Sequence, residues 1–223
     1  MRTTTGGLRG RGPWARSDPP RTPQVARSVS LPVLPLFDAV ARDGVGLGHG
    51  YIDMGDRVIA LTRIGAPRMP NGIECDVSVP RGARVRLGSG RLLVGDEAIA
   101  PGATWDPVPS PRVRVAVDIA FVPDPIFLAG RGPGLTPAGD DLLAGYAAGL
   151  VLFAGRVDEA ELIVARAAPR TTLLSATLLR HAARGELPEP AHALLEDGDP
   201  LPLLAFGQTS GRAILLGLAL ACG

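Results

Sequence analysis

The rhythm of apolar and polar positions changes near the middle of the chain. From Pro35 to about Val122 the apolar runs are short and strand-like. Leu47 to Ile52 and Val58 to Ile64 flank Asp53-Met54-Gly55-Asp56, which reads as a hairpin. Ile73 to Val79 follows Asn71-Gly72, a strong turn pair. Val85-Arg86-Leu87 and Leu92-Leu93-Val94 are joined through Gly88-Ser89-Gly90. Arg112 to Phe121 alternates at first, with Val113, Val115 and Val117 on one side and Arg112, Arg114 and Ala116 on the other, the arginines forming a solvated face. Short strands separated by Gly and Pro predict a small antiparallel barrel or sandwich.

After Pro123-Asp124-Pro125 the period becomes helical. Helices are predicted from about Pro137 to Ala154 and from Asp158, paired with Glu161 in a capping box, to Ala168 before Pro169. A further helix spans roughly Thr172 to Arg184, capped by Gly185. Short helices follow near Ala191 to Glu196 and Leu201 to Phe206, and a last one from Ser210 to Ala221. Gly145 and Gly149 make a stripe on which a neighbouring helix can pack closely. His181 shares a face with Leu174, Thr177 and Leu178, the setting of a satisfied helix histidine. The expected fold is α+β. An Arg/Gly/Pro-rich disordered leader covers 1–30, a β domain 31–125, and an α-helical domain 126–223.

Composition narrows the chemistry. With 223 residues, 46% of them apolar, the chain can bury a substantial core, and a formal net charge of +1 gives no general pull toward nucleic acid or anionic membrane. All 23 basic residues are arginine. Schiff-base lysine chemistry and pyridoxal-phosphate attachment are therefore excluded, and planar recognition of carboxylate or phosphate is favoured. Cys75 and Cys222 read as reduced thiols rather than a disulfide framework. His49, His181 and His192 show no metal-ligand spacing. The apolar run Leu142 to Ala154 is too short to span a bilayer. Pro32, Pro35 and Asp38 interrupt any signal-like segment, so a cytoplasmic protein is expected.

The most informative stretch is GRGPGLTPAGDDLLAG at 130–145. Gly130, Gly132 and Gly134 leave the backbone bare for the close approach of a ligand or another backbone. Thr136 reads as an N-cap and Pro137 as the first helical residue, so free N–H groups would point into the loop and favour an anion or the polar end of a metabolite. The same residues also make a good structural helix start. Neither a P-loop lysine nor dinucleotide-type glycine spacing is present.

A second loop, Gly207-Gln208-Thr209-Ser210-Gly211-Arg212, echoes the first. With one gap, Gly134, Thr136, Gly139 and Gly145 align with Gly207, Thr209, Gly211 and Gly217. Two such helix starts can face one ligand, or their small residues can simply let two helices cross. Asp140 and Asp141 would hold a Mg²⁺ beside a phosphate, or accept hydrogen bonds from an amide N–H₂ while Arg131 or Arg212 binds the anionic end. Asp140 and Asp141 are the candidate catalytic pair. Gly132, Gly134, Thr136, Gly139, Thr209, Gly211 and Arg212 are the candidate ligand contacts.

Three segments, at 130–145, 170–185 (RTTLLSATLLRHAARG) and 207–221 (GQTSGRAILLGLALA), together resemble the AllH family. The similarity extends over roughly 36–221, including Pro70-Asn71-Gly72-Ile73. The resemblance implies a subunit of oxamate carbamoyltransferase from allantoin breakdown, which interconverts oxalurate and phosphate with oxamate and carbamoyl phosphate alongside two other kinds of subunit. The partners so implied are companion subunits and a small substrate combining phosphate or carboxylate with an amide. The family's second loop runs closer to Gly-His-Thr-Ser-Gly-x-Asp. Gln208 and Arg212-Ala213 depart from that pattern, which leaves open another substrate or a non-catalytic metabolite-binding or scaffold protein.

Overall fold

The computed structural model describes residues 22–115 and 121–222. Ten strands are found among them: β1 (Gln24–Val25), β2 (Ser28–Ser30), β3 (Arg42–Gly48), β4 (Tyr51–Asp53), β5 (Val58–Thr62), β6 (Gly72–Glu74), β7 (Arg84–Gly88), β8 (Arg91–Val94), β9 (Glu97–Ala100) and β10 (Ala103–Trp105). They form one sheet in the order β1-β9-β8-β7-β3-β4-β5-β6-β2-β10. Its two ends are built from the same two stretches of chain. β1 and β2 run parallel to β9 and β10 in a single register, from Gln24 opposite Ile99 to Ser30 opposite Trp105. The sheet therefore curls back toward itself around a core that includes Val29, Phe37, Ile52, Ile73 and Leu92.

Two predicted hairpins are present, β4–β5 and β7–β8. The second turns on Ser89 and Gly90, both at positive φ (52° and 83°), the conformation of a type I′ turn. The expected all-antiparallel pairing is corrected, because β5 and β6 are parallel, as are β1 with β9 and β2 with β10. Asn71-Gly72 is not a hairpin turn. Asn71 is buried and its side-chain amide donates to the Val58 carbonyl (2.9 Å), so the chain between β5 and β6 crosses over and returns in the same direction.

The leader expected over 1–30 overlaps the sheet, since β2 is fully buried. A three-residue strand is too short to show a period, and residues 1–21 lie outside the described ones. No strand forms over 112–115, where the Arg112 and Val113 N–H groups both donate to the Leu195 carbonyl (2.8 and 3.0 Å). Residues 116–120 of that expected strand lie outside the described residues.

The helices are α1 (Pro35–Asp38), α2 (Pro125–Leu128), α3 (Ala138–Ala154), α4 (Val157–Ala167), α5 (Leu173–Ala182), α6 (Glu189–His192), α7 (Leu201–Leu204) and α8 (Ser210–Leu220). α3 is the hub, with Leu143, Ala147 and Leu150 wholly buried in the second apolar cluster. α8 lies beside it, and the glycine stripe explains how. A Cβ on Gly145 would collide with the Ile214 carbonyl, and one on Gly149 would sit 3.5 Å from Leu218 Cα.

Sheet and helices are joined by polar contacts, one of them buried. The Val58 N–H of β5 donates to Thr177 Oγ1 (3.0 Å), whose own hydroxyl donates to the Leu173 carbonyl (2.8 Å). Arg68 pairs with Glu189, and the Leu187 N–H donates to the Pro107 carbonyl (2.8 Å). Thr177→Val removes the acceptor and leaves a buried N–H unpaired. It should lower unfolding stability by about 1–3 kcal/mol in urea titration, with Thr177→Ser close to wild type.

Candidate functional site

The loop before α3 is folded onto itself by its glycines. Gly130 (φ 71°) packs against the Arg170 carbonyl and Gly132 (φ 115°) against the Ala138 nitrogen, so at these two positions the close neighbour is backbone. Gly134 (φ 104°) stays open, with nothing nearer than 3.5 Å to an added Cβ. The expected row of free amides is not there. The Gly139 N–H donates to the Arg131 carbonyl (2.9 Å), and those of Asp140 and Asp141 donate to the Pro137 carbonyl (2.9 and 3.2 Å). Thr136 is also not the N-cap. Pro137 holds that position, with no side-chain cap bond.

Thr136 does something else. Its hydroxyl donates to Asp141 Oδ2 (3.1 Å) and lies 3.3 Å from Ser210 Oγ at the start of α8. Because Thr136 meets Ser210 while Gly145 meets Ile214 and Gly149 meets Leu218, α3 and α8 run parallel and bring their N-terminal ends together. Between these ends and the sheet lies a cavity of about 370 Å³. Gly134, Thr136 and Asp141 line it from the first loop, and Gly207, Thr209 and Ser210 from the second. Tyr51, Met69 and Pro70 close it from the sheet side, while Leu178, Leu187 and Phe206 make it largely apolar.

The two adjacent carboxylates have different lives. Asp140 is buried and accepts the Gly130 N–H (2.8 Å) and the Thr171 hydroxyl, so it ties the loop to the segment before α5 and does not line the cavity. Asp141 is only 5% exposed and faces the cavity. Burial pushes its carboxyl up to about 6, against the pull of the Ser210 and Thr136 hydroxyls and with a further push from Asp140. The Tyr51 hydroxyl is likewise raised, by burial and then by Asp141.

Of the residues expected to contact ligand, Gly134, Thr136, Asp141 and Thr209 line the cavity. Gly132, Gly139 and Gly211 are spacers, the last two pressed against the Leu128 and Leu203 carbonyls. Arg131 and Arg212 are exposed and off the cavity wall. Among the described residues no group of three or more His, Cys, Asp or Glu is arranged to hold a metal ion. Sequence reasoning passed over Ser210, Tyr51 and Glu186. Ser210 sits inside the quoted second loop and its hydroxyl was the available signal. Tyr51 and Glu186 carry no local mark. Glu186 is buried at the cavity edge, where hydrogen bonds from His181 and Arg184 outweigh the burial that pushes it up and hold it below its ordinary range.

The fold is a curled mixed sheet covered by helices, with hydroxyls and one buried carboxylate converging on a small cavity. The family model described as oxamate carbamoyltransferase subunit AllH matches residues 128–222, so the resemblance read from the motifs is shown for the helical part that carries both loops. The strand region, including Pro70–Ile73, lies outside the matched stretch. No curated protein and no solved structure matches the chain. Among the described residues no helix is long and apolar enough to cross a membrane.

Proposed function

We propose that the chain is a subunit of a carbamoyltransferase-like complex and that the Asp141 cavity takes the amide end of a small amide acid of the oxamate or oxalurate class. The observation that carries this reading is the meeting of both loops at one cavity, with Asp141, Thr136 and Ser210 within reach of one another. An ionised Asp141 accepts hydrogen bonds from an N–H₂ group. The two hydroxyls and Tyr51 supply donors or acceptors for a carbonyl. The apolar remainder excludes water and strengthens each of these contacts.

Among the described residues the lining contains no arginine, so they do not supply the cation that a phosphate or carboxylate requires. In the proposed complex that charge comes from a companion subunit seated at the mouth. The same absence, with Gln208 where the family has histidine, favours a second reading, a metabolite-binding subunit without its own chemistry.

Reconstitution with companion subunits, followed by carbamoyl transfer from oxalurate to phosphate, separates the two. On the first reading Asp141→Asn lowers turnover by about 100-fold with folding intact. Undiminished turnover of the variant would leave only the binding role, and retained oxamate binding by the variant would remove that as well.

A further inference from the structure

A second cleft of about 370 Å³ opens on the other side of α5. Helical spacing divides the two sites, with Leu178 and Ala182 facing the Asp141 cavity and Thr177, Arg180, His181 and Arg184 facing the cleft. Asp56, Arg57 and Val58, from the β4–β5 hairpin and the start of β5, form the opposite wall. The Thr177–Val58 hydrogen bond fixes the distance between the walls.

The charge in this cleft is unbalanced. Asp56 is shared by Arg57 (2.8 Å) and Arg42 (3.3 Å), and the Arg57 hydrogen bond, with help from Arg42, holds its carboxyl down at about 2, so it stays ionised. Glu186 is held by Arg184 (2.8 Å) and His181. Arg180 reaches only the Asp56 carbonyl (3.4 Å) and meets no carboxylate among the described residues. Three guanidinium groups, of Arg57, Arg180 and Arg184, thus line the cleft beside the Asp56 carboxylate, and with Arg57 held by Asp56 and Arg184 by Glu186, Arg180 is left without a carboxylate partner among the described residues. Arg180 on α5 and Arg184 in the turn that follows it both face the cleft, and like charges brought together this way favour an anion between them. In a chain whose net charge is only +1, such local crowding is not a by-product of a basic composition.

We infer that this cleft binds a small oxyanion, a phosphate or carboxylate group, held by Arg180 together with Arg57 and Arg184, at a site separate from the Asp141 cavity. Guanidinium groups present paired N–H donors that match the oxygens of either anion. Burial keeps His181 below its ordinary range, outweighing the pull of Glu186, so the histidine side of the cleft is uncharged near neutral pH and the arginines carry the recognition. The inference does not depend on which ligand fills the Asp141 cavity.

The test is calorimetric titration of the full chain with inorganic phosphate and, in a separate arm, with oxalate. Binding of at least one anion is expected. The stronger arm assigns the source as phosphate or carboxylate. Arg180→Gln should weaken that binding about tenfold, and Arg180→Lys should recover part of it. Arg180 is exposed, and its one polar contact is to a backbone carbonyl, so both variants should melt at the wild-type temperature. Asp141→Asn should leave anion binding unchanged. Failure of both anions to bind, equal binding by Arg180→Gln, or loss of binding in Asp141→Asn would each overturn the inference. The last result would place the anion in the other cavity, and none of the three bears on amide binding there.

Discussion

Asp141→Asn should make the protein more stable at pH 7.5 and leave it unchanged near pH 4. The Asp141 carboxyl is pushed up to about 6 by burial, from an ordinary value of 3.8. The native state therefore holds a proton there that the unfolded chain has already released. Stability from this group is fully present below the unfolded value and is lost as pH rises through 6. A shift of roughly two units at about 1.4 kcal/mol each amounts to about 3 kcal/mol by pH 7.5. Asparagine keeps an oxygen for the Thr136 hydroxyl and never ionises, so the variant escapes that loss. Urea unfolding of both proteins at pH 4.5 and 7.5 measures it. The curves should diverge with rising pH, the variant being the more stable. Parallel curves would mean that the two helix N-termini meeting there hold the carboxylate ionised, and that burial does not dominate. A group that destabilises its own fold at working pH is a candidate for a functional position.

Asp140 and Asp141 could not be told apart from the sequence. Adjacent residues on a helix point roughly 100° apart, so one of the pair had to turn away from any common ligand. Which one turned depended on Gly130 and Thr171, and Thr171 is far along the chain. Thr136 was read as a cap because Thr-Pro commonly begins a helix. In the fold its hydroxyl goes to Asp141 and Ser210, a choice set by the arrival of α8. The longer helices, α3, α4, α5 and α8, were legible to within a residue or two because a sustained period of 3.6 does not need tertiary context, whereas the single-turn helices α1 and α2 are too short to show a period and were not read. The sheet was legible in part as strands, β5, β7 and β8 best, and not as a topology; β1, β2, β9 and β10 were not read, and the expected Leu47–Ile52 strand spans the turn between β3 and β4. Parallel pairing of β5 with β6 depends on a crossover that looks, in sequence, like a turn. Tyr51 entered the site through that topology, which is why nothing near it in sequence marked it.

The largest loss of stability should come from one methyl group. A Cβ on Gly217 would collide with the Leu142 carbonyl and would sit 2.6 Å from the Tyr146 nitrogen and 2.9 Å from the Gly145 carbonyl carbon. All three obstacles are backbone of α3, the most buried helix, so no side-chain rotation relieves the contact. α8 would have to move outward along its length. Gly217→Ala gains helix propensity, worth about 1 kcal/mol, and loses far more by opening the packed interface, for a net destabilisation of about 3 kcal/mol. Leu216→Ala, one residue earlier on the exposed face, should stay within about 0.5 kcal/mol of wild type. Because Thr136 and Ser210 meet where the two helices begin, the same displacement should pull the loops apart and weaken ligand binding in the Asp141 cavity. Anion binding beside Arg180, on the far side of α5, should survive in whatever fraction remains folded. Denaturant titration and the two binding measurements on one sample separate these effects. A Gly217→Ala protein as stable as wild type would mean that the close crossing is not what holds the two loops together.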